Sequence, residues 1–237
     1  MMIGFKARNT EKILVIDSSY QNLQMVAKGT LTTSKLDSGI GYYADVVVPS
    51  GRASAVLAIR WNGTAGEYPQ PSGVYWKKLD ATTFRVYAGS PSVQATFDYF
   101  LFCTPIQTTE GGVIGLRIRN SSGGGVVYDS RYKYLRVLDY INETLAVDGV
   151  FSKAYPGKKV ALIQTLRANY TRIDSGGTVD HPIFVITLKS SCMATPTDDA
   201  VRIYYRSTDL YTGFGSITPA IAGVNYAGYL VVDVTGY

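Results

Sequence analysis

The sequence predicts an all-β protein made of two tandem, jelly-roll-like β-sandwich domains that are related by internal duplication. Three observations predict this class. The composition is rich in tyrosine and glycine, apolar and polar residues alternate in many short segments, and a segment near the start of the chain recurs about halfway along it.

Composition favours strands joined by turns. Of the 237 residues, 46% are hydrophobic and 17% are charged, a balance typical of globular proteins. The chain has 19 tyrosines and 24 glycines but a single histidine. Tyrosine suits a pleated, half-buried surface and glycine suits turns, whereas no stretch of ten or more residues has apolar positions at helical spacing. Many short strands with turns between them are typical of a sandwich.

The repeated segment spans residues 4–26 (GFKARNTEKILVIDSSYQNLQMV) and residues 115–138 (GLRIRNSSGGGVVYDSRYKYLRVL), with one inserted residue in the turn. Identical residues occupy matching positions in the two copies: Gly4 and Gly115, Arg8 and Arg119, Asn9 and Asn120, Val15 and Val127, Asp17 and Asp129, Ser18 and Ser130, Tyr20 and Tyr132, Leu23 and Leu135. Each copy predicts a β-hairpin, with apolar residues facing inwards and basic residues outwards, followed by a third strand. We expect the Asp-Ser pair of each copy to bond to nearby backbone groups.

Weaker similarities continue in the same order along the chain: residues 54–60 resemble 160–167, residues 82–90 resemble 199–207, and residues 97–102 resemble 227–232. A duplication with so long a period predicts two domains, residues 1–111 and residues 112–237. The polar segment 104–112 is the expected linker. The extra residues of the second half fall mostly between 168 and 225, where we expect long loops, including SGGTVDHP and residues 207–225.

The net charge of +5 is spread along the chain, with 10 basic and 8 acidic side chains in the first half and 13 and 10 in the second. Because nucleic-acid-binding proteins concentrate basic charge on one face, no nucleic-acid partner is expected. One modest basic cluster comprises Arg117, Arg119, Arg131, Lys133 and Arg136. Arg117 and Arg119 are candidate contacts to an acidic neighbouring subunit or an anionic glycan, and the alternative is an ordinary solvated strand face.

The chain begins with MMIGFKARNTEK, which lacks an apolar stretch of signal-peptide length, and its longest apolar runs are too short to span a bilayer. We therefore expect synthesis in the cytoplasm without export, and no membrane insertion. Cys103 and Cys192 are too far apart for a metal-binding or redox CxxC motif. Two free, buried thiols are expected rather than a disulfide.

The residue types that enzymes use are scarce. His181 lies between Asp180 and Pro182 at the start of an apolar segment, which is typical of a loop residue at a strand entrance. No nucleophile-elbow motif accompanies it, and one histidine with two scattered cysteines does not complete a zinc site. Asp198 and Asp199 are adjacent, so that in a strand they would point to opposite faces. We expect no catalytic residue, metal or cofactor, and the alternative is a glycan hydrolase that uses another pair of carboxylates.

Tyrosines near predicted loops and strand ends are the remaining candidate contacts. These are Tyr204, Tyr205 and Tyr211. A tyrosine combines a rigid apolar ring with a polar tip, which favours protein interfaces and stacking on sugars. The alternative is that these tyrosines fill the faces of the sandwich.

Residues 115–140, GLRIRNSSGGGVVYDSRYKYLRVLDY, resemble the opening of small tail proteins of tailed bacteriophages. Those proteins begin G-[LF]-x-[VI]-x-[ND] and, after a turn, continue [LV]-[VIF]-x-D-[ST]-x-x-x-x-L-R. Residues 4–26 match more loosely, because Gln24 stands where the pattern has arginine. The resemblance implies a virion tail component and carries over no site residues.

Taken as a tail component, the chain is expected to be a structural protein of the tail tip or baseplate, or an attachment protein for fibres, that acts through protein–protein surfaces. Tail assemblies have cyclic symmetry, so we expect a homo-oligomer of three or six copies together with other tail proteins. Residues 1–111 would anchor the protein, and residues 112–237, with their longer loops, would present a surface. Two alternatives stay open: a receptor-binding or carbohydrate-binding module that engages host surface glycans at the tail periphery, and a capsid decoration protein.

Overall fold

A computed structural model describes residues 6–8, 14–17, 22–37, 40–52, 54–61, 63, 73–89, 92–105, 115–119, 125–144 and 150–237. These residues form β-strands and no helix, which confirms the all-β class. In chain order the strands are β1 (Lys6–Arg8), β2 (Leu14–Asp17), β3 (Gln24–Thr32), β4 (Lys35–Asp37), β5 (Gly41–Val47), β6 (Val56–Arg60), β7 (Val74–Lys78), β8 (Thr83–Ala88), β9 (Thr96–Cys103), β10 (Arg117–Arg119), β11 (Val126–Asp129), β12 (Val137–Thr144), β13 (Phe151–Ala154), β14 (Val160–Leu166), β15 (Asn169–Gly177), β16 (Pro182–Thr197), β17 (Ala200–Phe214), β18 (Ala220–Val224) and β19 (Tyr226–Asp233). No helix that could cross a membrane occurs in these ranges.

Two antiparallel sheets pack face to face into a β-sandwich. The six-stranded sheet has the order β12-β19-β14-β6-β9-β3, and the larger sheet has the order β13-β17-β16-β7-β8-β5-β4, with β15 and β18 beside it. Leu57 and Leu162 of the first sheet lie in one buried cluster with Val86 and Ile203 of the second. Alternate residues of each strand thus fill the space between the sheets, as in other sandwiches.

Both halves of the chain contribute to both sheets. In the six-stranded sheet, strands of the second half (β12, β19, β14) lead to strands of the first half (β6, β9, β3), and the larger sheet is divided in the same way. The halves meet at one residue pair in each sheet, Leu162 opposite Ile59 and Met193 opposite Val74. The boundary expected near residue 111 therefore separates two stretches of chain that share one sandwich and one core. Each half alone would leave β6 or β14 as an apolar edge, and pairing the halves buries that edge.

The strand order reads the same from both ends when strands of similar sequence are equated. β3, β9 and β6 occupy the positions that β12, β19 and β14 occupy from the opposite edge. The segments before β3 and β12 also meet each other, because the backbone N–H of Leu135 donates to the carbonyl of Leu23 at 2.9 Å. The duplication stays a hypothesis; it led us to expect two separate sandwiches, whereas the strand order places both copies in one sandwich with a two-fold arrangement.

Local irregularities recur at aligned positions. The β1–β2 hairpin pairs Lys6 with Asp17 and then shifts register after Ala7; the β10–β11 hairpin pairs Arg117 with Asp129 and shifts after Ile118. β3 carries a bulge at Val26, where it pairs with β9, and β12 carries a bulge at Leu138, where it pairs with β19. Bulges tend to be retained within a family of structures, so matching bulges support the alignment of the two copies.

Both cysteines are free and buried, which confirms the expectation for Cys103 and Cys192. Burial raises the pKa of the Cys103 thiol. A buried thiol with a raised pKa is a poor nucleophile and behaves as a small apolar side chain. The cysteines therefore contribute to packing.

Candidate interaction surface

The second half carries a four-stranded extension, here called the arm, that has no counterpart among the described residues of the first half. Its strand order is β18-β15-β16-β17, using residues 182–189 of β16 and 206–214 of β17. Between the corresponding strands, the first half has residues 61–73, from β6 to β7, and residues 89–95, from β8 to β9; residues 62, 64–72 and 90–91 among them lie outside the described residues. The expectation of long loops was therefore wrong for residues 207–225, most of which lie in β17 and β18.

The sequence of the arm favours strands because apolar residues alternate with other residues along it, and because its turn residues allow the chain to reverse direction. Only four residues, Thr178 to His181, join β15 to β16, and the backbone groups of Thr178 and His181 bond to each other at 3.2 Å. Gly177 enters this turn at φ +81°, where a Cβ would lie 2.3 Å from the carbonyl oxygen of His181. Glycine is therefore required at this position. SGGTVDHP does contain a turn, but a short one.

One face of the arm is largely apolar among its described side chains; by register Arg206 and Thr208 also belong to it, and their side chains lie outside the described residues. Ile173 pairs with Ile186, and Ile186 pairs with Tyr211, so these three side chains share a face. The face, here called the apolar face, comprises Thr171, Ile173, Ser175, Phe184, Ile186, Leu188, Tyr211, Gly213, Ala220 and Ala222. The opposite face, here called the charged face, includes Arg172 and Asp174, whose Nε and Oδ1 atoms lie 2.7 Å apart. The charged face also carries Ile183, Val185 and Ile221, so both faces of the arm contain apolar side chains.

Two aromatic rings cover a glycine at the centre of the apolar face. The rings of Phe184 and Tyr211 lie 5.6 Å apart at an angle of 44°. A Cβ on Gly213 would meet Phe184 at 2.6 Å and Tyr211 at 2.7 Å, so the two rings close over its backbone. Packing of this kind compensates for the missing side chain in a strand. Tyr211 nevertheless keeps 58% of its surface exposed.

The root of the arm is fixed in the core of the sandwich. Tyr170 is buried at the start of β15. Its neighbour across the strand pair is Gly223, at φ +113°, where a Cβ would lie 2.7 Å from the carbonyl oxygen of Asn169. Ser191 on β16 hydrogen bonds through its hydroxyl to the buried hydroxyl of Tyr229, at 2.9 Å. These contacts hold the arm as a continuation of the sheet.

The tip of the arm exposes two large apolar side chains. Val179, in the β15–β16 turn, is 98% exposed, and Phe214, at the end of β17, is 88% exposed. At the tip, a hydrogen bond of 2.8 Å from the N–H of Gly215 to the carbonyl of Pro182 joins the end of β17 to the start of β16. Exposed apolar side chains on an ordered element are typical of interaction sites.

The three candidate tyrosines fall in different environments on β17. Tyr211 lies on the apolar face, as described above. Tyr204 packs against the main buried cluster, and its hydroxyl lies 3.2 Å from Nη1 of Arg202. It is therefore largely structural and lies about 24 Å from Tyr211 at the spacing of an extended strand. Tyr205 belongs to β17, but its side chain lies outside the described residues.

Arg117, the first of the basic candidates, is paired inside the chain. Asp129 is buried and accepts hydrogen bonds from Nε of Arg117 at 2.9 Å and Nε of Arg131 at 2.8 Å. The bonds from Arg131, together with that from Arg117, hold the pKa of the Asp129 carboxyl well below its usual range. Arg117 thus closes the hairpin, whereas Arg119 is exposed.

The Asp-Ser pair of the second copy acts as the expected local cap, whereas the side chains of Asp17 and Ser18 in the first copy lie outside the described residues. Asp129 accepts from the N–H of Arg131 at 3.1 Å, and Ser130 Oγ accepts from the N–H of Leu116 at 2.9 Å. The expectation that apolar residues of this hairpin point inwards was wrong for Leu116, which is 56% exposed. Leu116 precedes β10 and is held there through its backbone. The apolar side chain that this hairpin buries is instead that of Val127 on β11.

The remaining members of the basic cluster also have partners within the chain. Arg136 donates to the carbonyl of Thr235 at 2.7 Å and lies 3.5 Å from Asp233. The Lys133 ammonium lies 5.7 Å from the centre of the Tyr237 ring. The cluster is therefore tied to the end of the chain, and Asp129 and Asp233 balance part of its charge.

The residues considered for enzymatic roles do not converge. His181 occupies the turn before β16 and is exposed, as expected for a loop residue at a strand entrance. Asp198 and Asp199 form the turn between β16 and β17, and not part of a strand; Asp198 pairs with Arg60, and Asp199 accepts from Thr197 at 2.8 Å. Within the described ranges, no three His, Cys, Asp or Glu side chains lie close enough together to hold a metal ion.

Sequence reasoning missed the residues that make the arm distinctive, namely Phe184, Phe214 and Val179. The segment from Ile183 to Leu188 does carry the signal, an apolar run with alternation, but it was interpreted as an ordinary strand of the sandwich. No family model, curated protein or solved structure matches this chain.

Proposed function

We propose that this chain is a non-enzymatic structural protein of the tail of a tailed bacteriophage, and that the arm is the element that contacts another virion protein. The observation that carries the proposal is the tip of the arm, where Val179 and Phe214 are almost fully exposed on an element anchored in the core. Surface loops and extensions held by a rigid scaffold commonly carry binding functions.

The hairpin motif supports the placement in a tail. The segment that resembles phage tail proteins forms a clasp around Asp129, in which the motif aspartate and serine both have structural roles. The arm also lies in the half expected to present a surface. Among the described residues of the first half, Leu36, Val47 and Leu79 are exposed but less so than Val179 and Phe214, and exposed apolar residues of this kind are ordinary on a protein surface.

The first experiment is to locate the chain on particles of the phage that encodes it, with antibodies raised against the purified protein and viewed by electron microscopy. Labelling of the tail is expected. Labelling of the capsid would instead indicate a decoration protein, and absence of label from particles opened with mild detergent would overturn the proposal.

The arm is tested by particle assembly with a variant chain. A double variant, Val179→Ser and Phe214→Ser, should be incorporated into particles at least about tenfold less than the wild type, since two apolar contacts at an interface core are worth over 1.4 kcal/mol. Leu36→Ser is the matched control, because Leu36 is 66% exposed but lies in the first half. Equal incorporation of all three chains would exclude the tip as the contact.

The division of roles between the halves is tested by limited proteolysis of intact particles. We expect cleavage first in the arm, at the turn around Val179 or between β17 and β18, because these segments are exposed. A second half that is fully protected while the first half is cut would reverse the assignment of anchor and presenting surface.

A glycan-binding module is the second candidate, and Tyr211 favours it. Its exposed ring lies beside the ring of Phe184, and an exposed aromatic ring suits stacking on a sugar. Binding to a glycan array that Tyr211→Ala abolishes, and that Tyr204→Ala preserves, would support this function. No binding to any host surface glycan would exclude it.

A further inference from the structure

We infer that the end of the first half near Cys103 binds a carboxylate group supplied from outside the chain, which Arg52 and Lys78 hold between them. The second half has a carboxylate of its own at the equivalent place, Asp233, where the first half has the cysteine. This site shares no residue with the arm, and it does not depend on whether the chain is a tail protein.

Cys103 and Asp233 occupy equivalent positions in the two halves. Each is the last residue of an eight-residue strand, β9 or β19, and these strands take matching places in the six-stranded sheet. Residues 97–102 and 227–232, which directly precede them, are segments that resemble each other in sequence. Both residues are buried. The same buried position thus carries a thiol in one half and a carboxylate in the other.

A turn of the same kind brings a basic residue to each position. In the first half, the N–H of Arg52 donates to the carbonyl three residues earlier at 3.3 Å, and Gly51 has φ +74°. In the second half, the N–H of Lys158 donates to the carbonyl three residues earlier at 3.1 Å, and Gly157 has φ +73°. A glycine with positive φ at the third place of a four-residue turn is typical of type II turns. The two turns precede the equivalent strands β6 and β14, so Arg52 is the counterpart of Lys158.

In the second half, the carboxylate is already in place. Asp233 Oδ2 lies 3.5 Å from Nζ of Lys158, and Oδ1 lies 3.5 Å from Nη2 of Arg136. Oδ1 also accepts from the N–H of Thr235 at 2.8 Å. Burial alone would raise the pKa of Asp233, but the bonds from Thr235 and the two positive charges lower it below its usual value. A charged carboxylate therefore balances both cations at neutral pH.

In the first half, two cations face a position that has no carboxylate. Burial, the largest effect, raises the pKa of the Cys103 thiol, and the nearby charges of Arg52 and Lys78 lower it. Lys78 is exposed and Arg52 is half-buried. Among the residues that the structure describes, no Asp or Glu oxygen lies within 4.0 Å of either cation. Asp80, in the turn after Lys78, accepts instead from the N–H of Thr82 at 2.7 Å.

Arg52 also has a hydrogen-bond donor that is not used. Its Nη1 atom is buried and has no acceptor in the described part of the chain. Burying a guanidinium N–H without an acceptor is costly, and folded proteins usually provide one. A carboxylate suits arginine best, because its two oxygens can accept parallel bonds from the guanidinium group. It is also the group that the second half places at this position.

The test is an NMR titration of the full chain carrying isotope-labelled cysteine, which gives one backbone amide signal each for Cys103 and Cys192. Cys192 lies in a different buried cluster and serves as the internal reference. Sodium acetate replaces sodium chloride at constant ionic strength, so that screening by salt does not change. The Cys103 signal should shift along a saturable curve while the Cys192 signal stays in place. Because a single carboxylate makes few contacts, we expect a dissociation constant on the order of millimolar.

Three variants show which cations hold the acetate. Arg52→Gln should weaken acetate binding at least about tenfold, and Lys78→Gln, at an exposed position where misfolding is not expected, should weaken it as well. Lys158→Gln is the matched control. It removes the equivalent cation in the second half, where Asp233 already fills the place, and it should leave acetate binding unchanged.

A Cys103 signal that does not shift with acetate, or that shifts equally in the wild type and Arg52→Gln, would overturn the inference. So would a loss of binding in Lys158→Gln as large as that in Arg52→Gln. An unchanged Cys192 signal would verify that each variant folds.

A short peptide with one aspartate between glycines identifies the source of the carboxylate. Tighter binding of the peptide than of acetate, lost when asparagine replaces the aspartate, would indicate a side chain of another protein. Equal binding of the two would indicate a small free acid. None of these results bears on labelling of the tail, so the proposed function is tested separately.

Discussion

The two halves of the chain build the same framework and differ in what they add to it. Each contributes three strands to the six-stranded sheet in the same relative order, and each begins with a short hairpin of the same register. Where the first half has residues 61–73 and 89–95, the second half has the arm. The difference indicates that the framework provides stability and that the extension of one half provides the surface available for function.

The halves also differ along their outer edges. β12 exposes Val137, Leu138 and Tyr140, whereas its counterpart β3 exposes no large apolar side chain among its described residues. β12 is held at its side by Asp139, which bonds to Lys153 at 2.6 Å and to the Tyr155 hydroxyl at 2.7 Å. The second half therefore has the more apolar surface at both its edge strand and its arm.

A substitution at the junction of the halves should have the largest effect and shows whether the halves unfold together. Leu162→Ala removes a fully buried side chain of the second half and should cost about 2–5 kcal/mol of unfolding free energy. Both tryptophans, Trp61 and Trp76, lie in the first half, so their fluorescence reports on that half. In urea, fluorescence and far-UV circular dichroism should shift together. A urea midpoint measured by fluorescence that does not move would mean that the halves unfold as two independent units. Leu36→Ala is the surface control and is expected to change the unfolding free energy by under about 0.5 kcal/mol.

A glycine at the same junction tests the close approach of the halves. Gly73 has φ +140°, and a Cβ there would lie 2.6 Å from the carbonyl oxygen of Met193 in the second half. Gly73→Ala should cost about 1–3 kcal/mol from backbone strain, with the contact adding to it. Gly51→Ala, at φ +74° with nothing nearby, incurs the backbone term alone and should cost less. Equal losses, measured by chemical denaturation, would show that the halves are not in close contact at Gly73.

The Asp129 clasp tests whether the two hairpins are equivalent. Because the folded state lowers the pKa of Asp129, its stabilisation is present above the unfolded pKa of about 3.9 and is lost as the pH falls below it. Asp129→Asn should cost about 1–2 kcal/mol at neutral pH and should flatten the acid dependence of stability below about pH 4. Asp17→Asn should behave in the same way if the first hairpin has the same clasp. A pH profile unchanged by Asp129→Asn would contradict the role of this carboxylate.

Substitutions on the arm should have the smallest effect on stability. Phe214→Ser and Val179→Ser each remove an exposed side chain and should change the unfolding free energy by less than about 0.5 kcal/mol. Thermal or urea unfolding of each variant checks this directly. A loss above about 1 kcal/mol would mean that the tip packs against the framework, and the arm could then no longer be treated as separate from it.

Local features of the sequence predicted the framework well. The all-β class, the two hairpins and the Asp129–Ser130 cap follow from alternation and turn chemistry, which act between residues close in sequence. The sharing of both sheets did not follow, because β6 and β14 are apolar on both faces and such a strand does not show which other strand it will meet.

The candidate surface was predicted only in part, and for a related reason. Tyr211 and Tyr204 lie on the same strand and look alike in sequence, but one lies on the arm and the other against the core. The apolar segment that contains Phe184 predicts a strand, but its pattern does not show whether that strand is covered. Whether an apolar face is covered depends on the tertiary arrangement, which alternation alone does not determine.

The position of β19 has a consequence for how the protein is made. This strand, at residues 226–233, lies between β12 and β14 inside the six-stranded sheet. Because the ribosome releases residues in order, more than 220 residues must emerge before β19 can take its place between β12 and β14. Until then the edge of the apolar strand β14 that pairs with β19 stays unpaired. Folding should therefore be completed late and should rely on contacts between residues far apart in sequence, which favours slow closure and dependence on chaperones during synthesis.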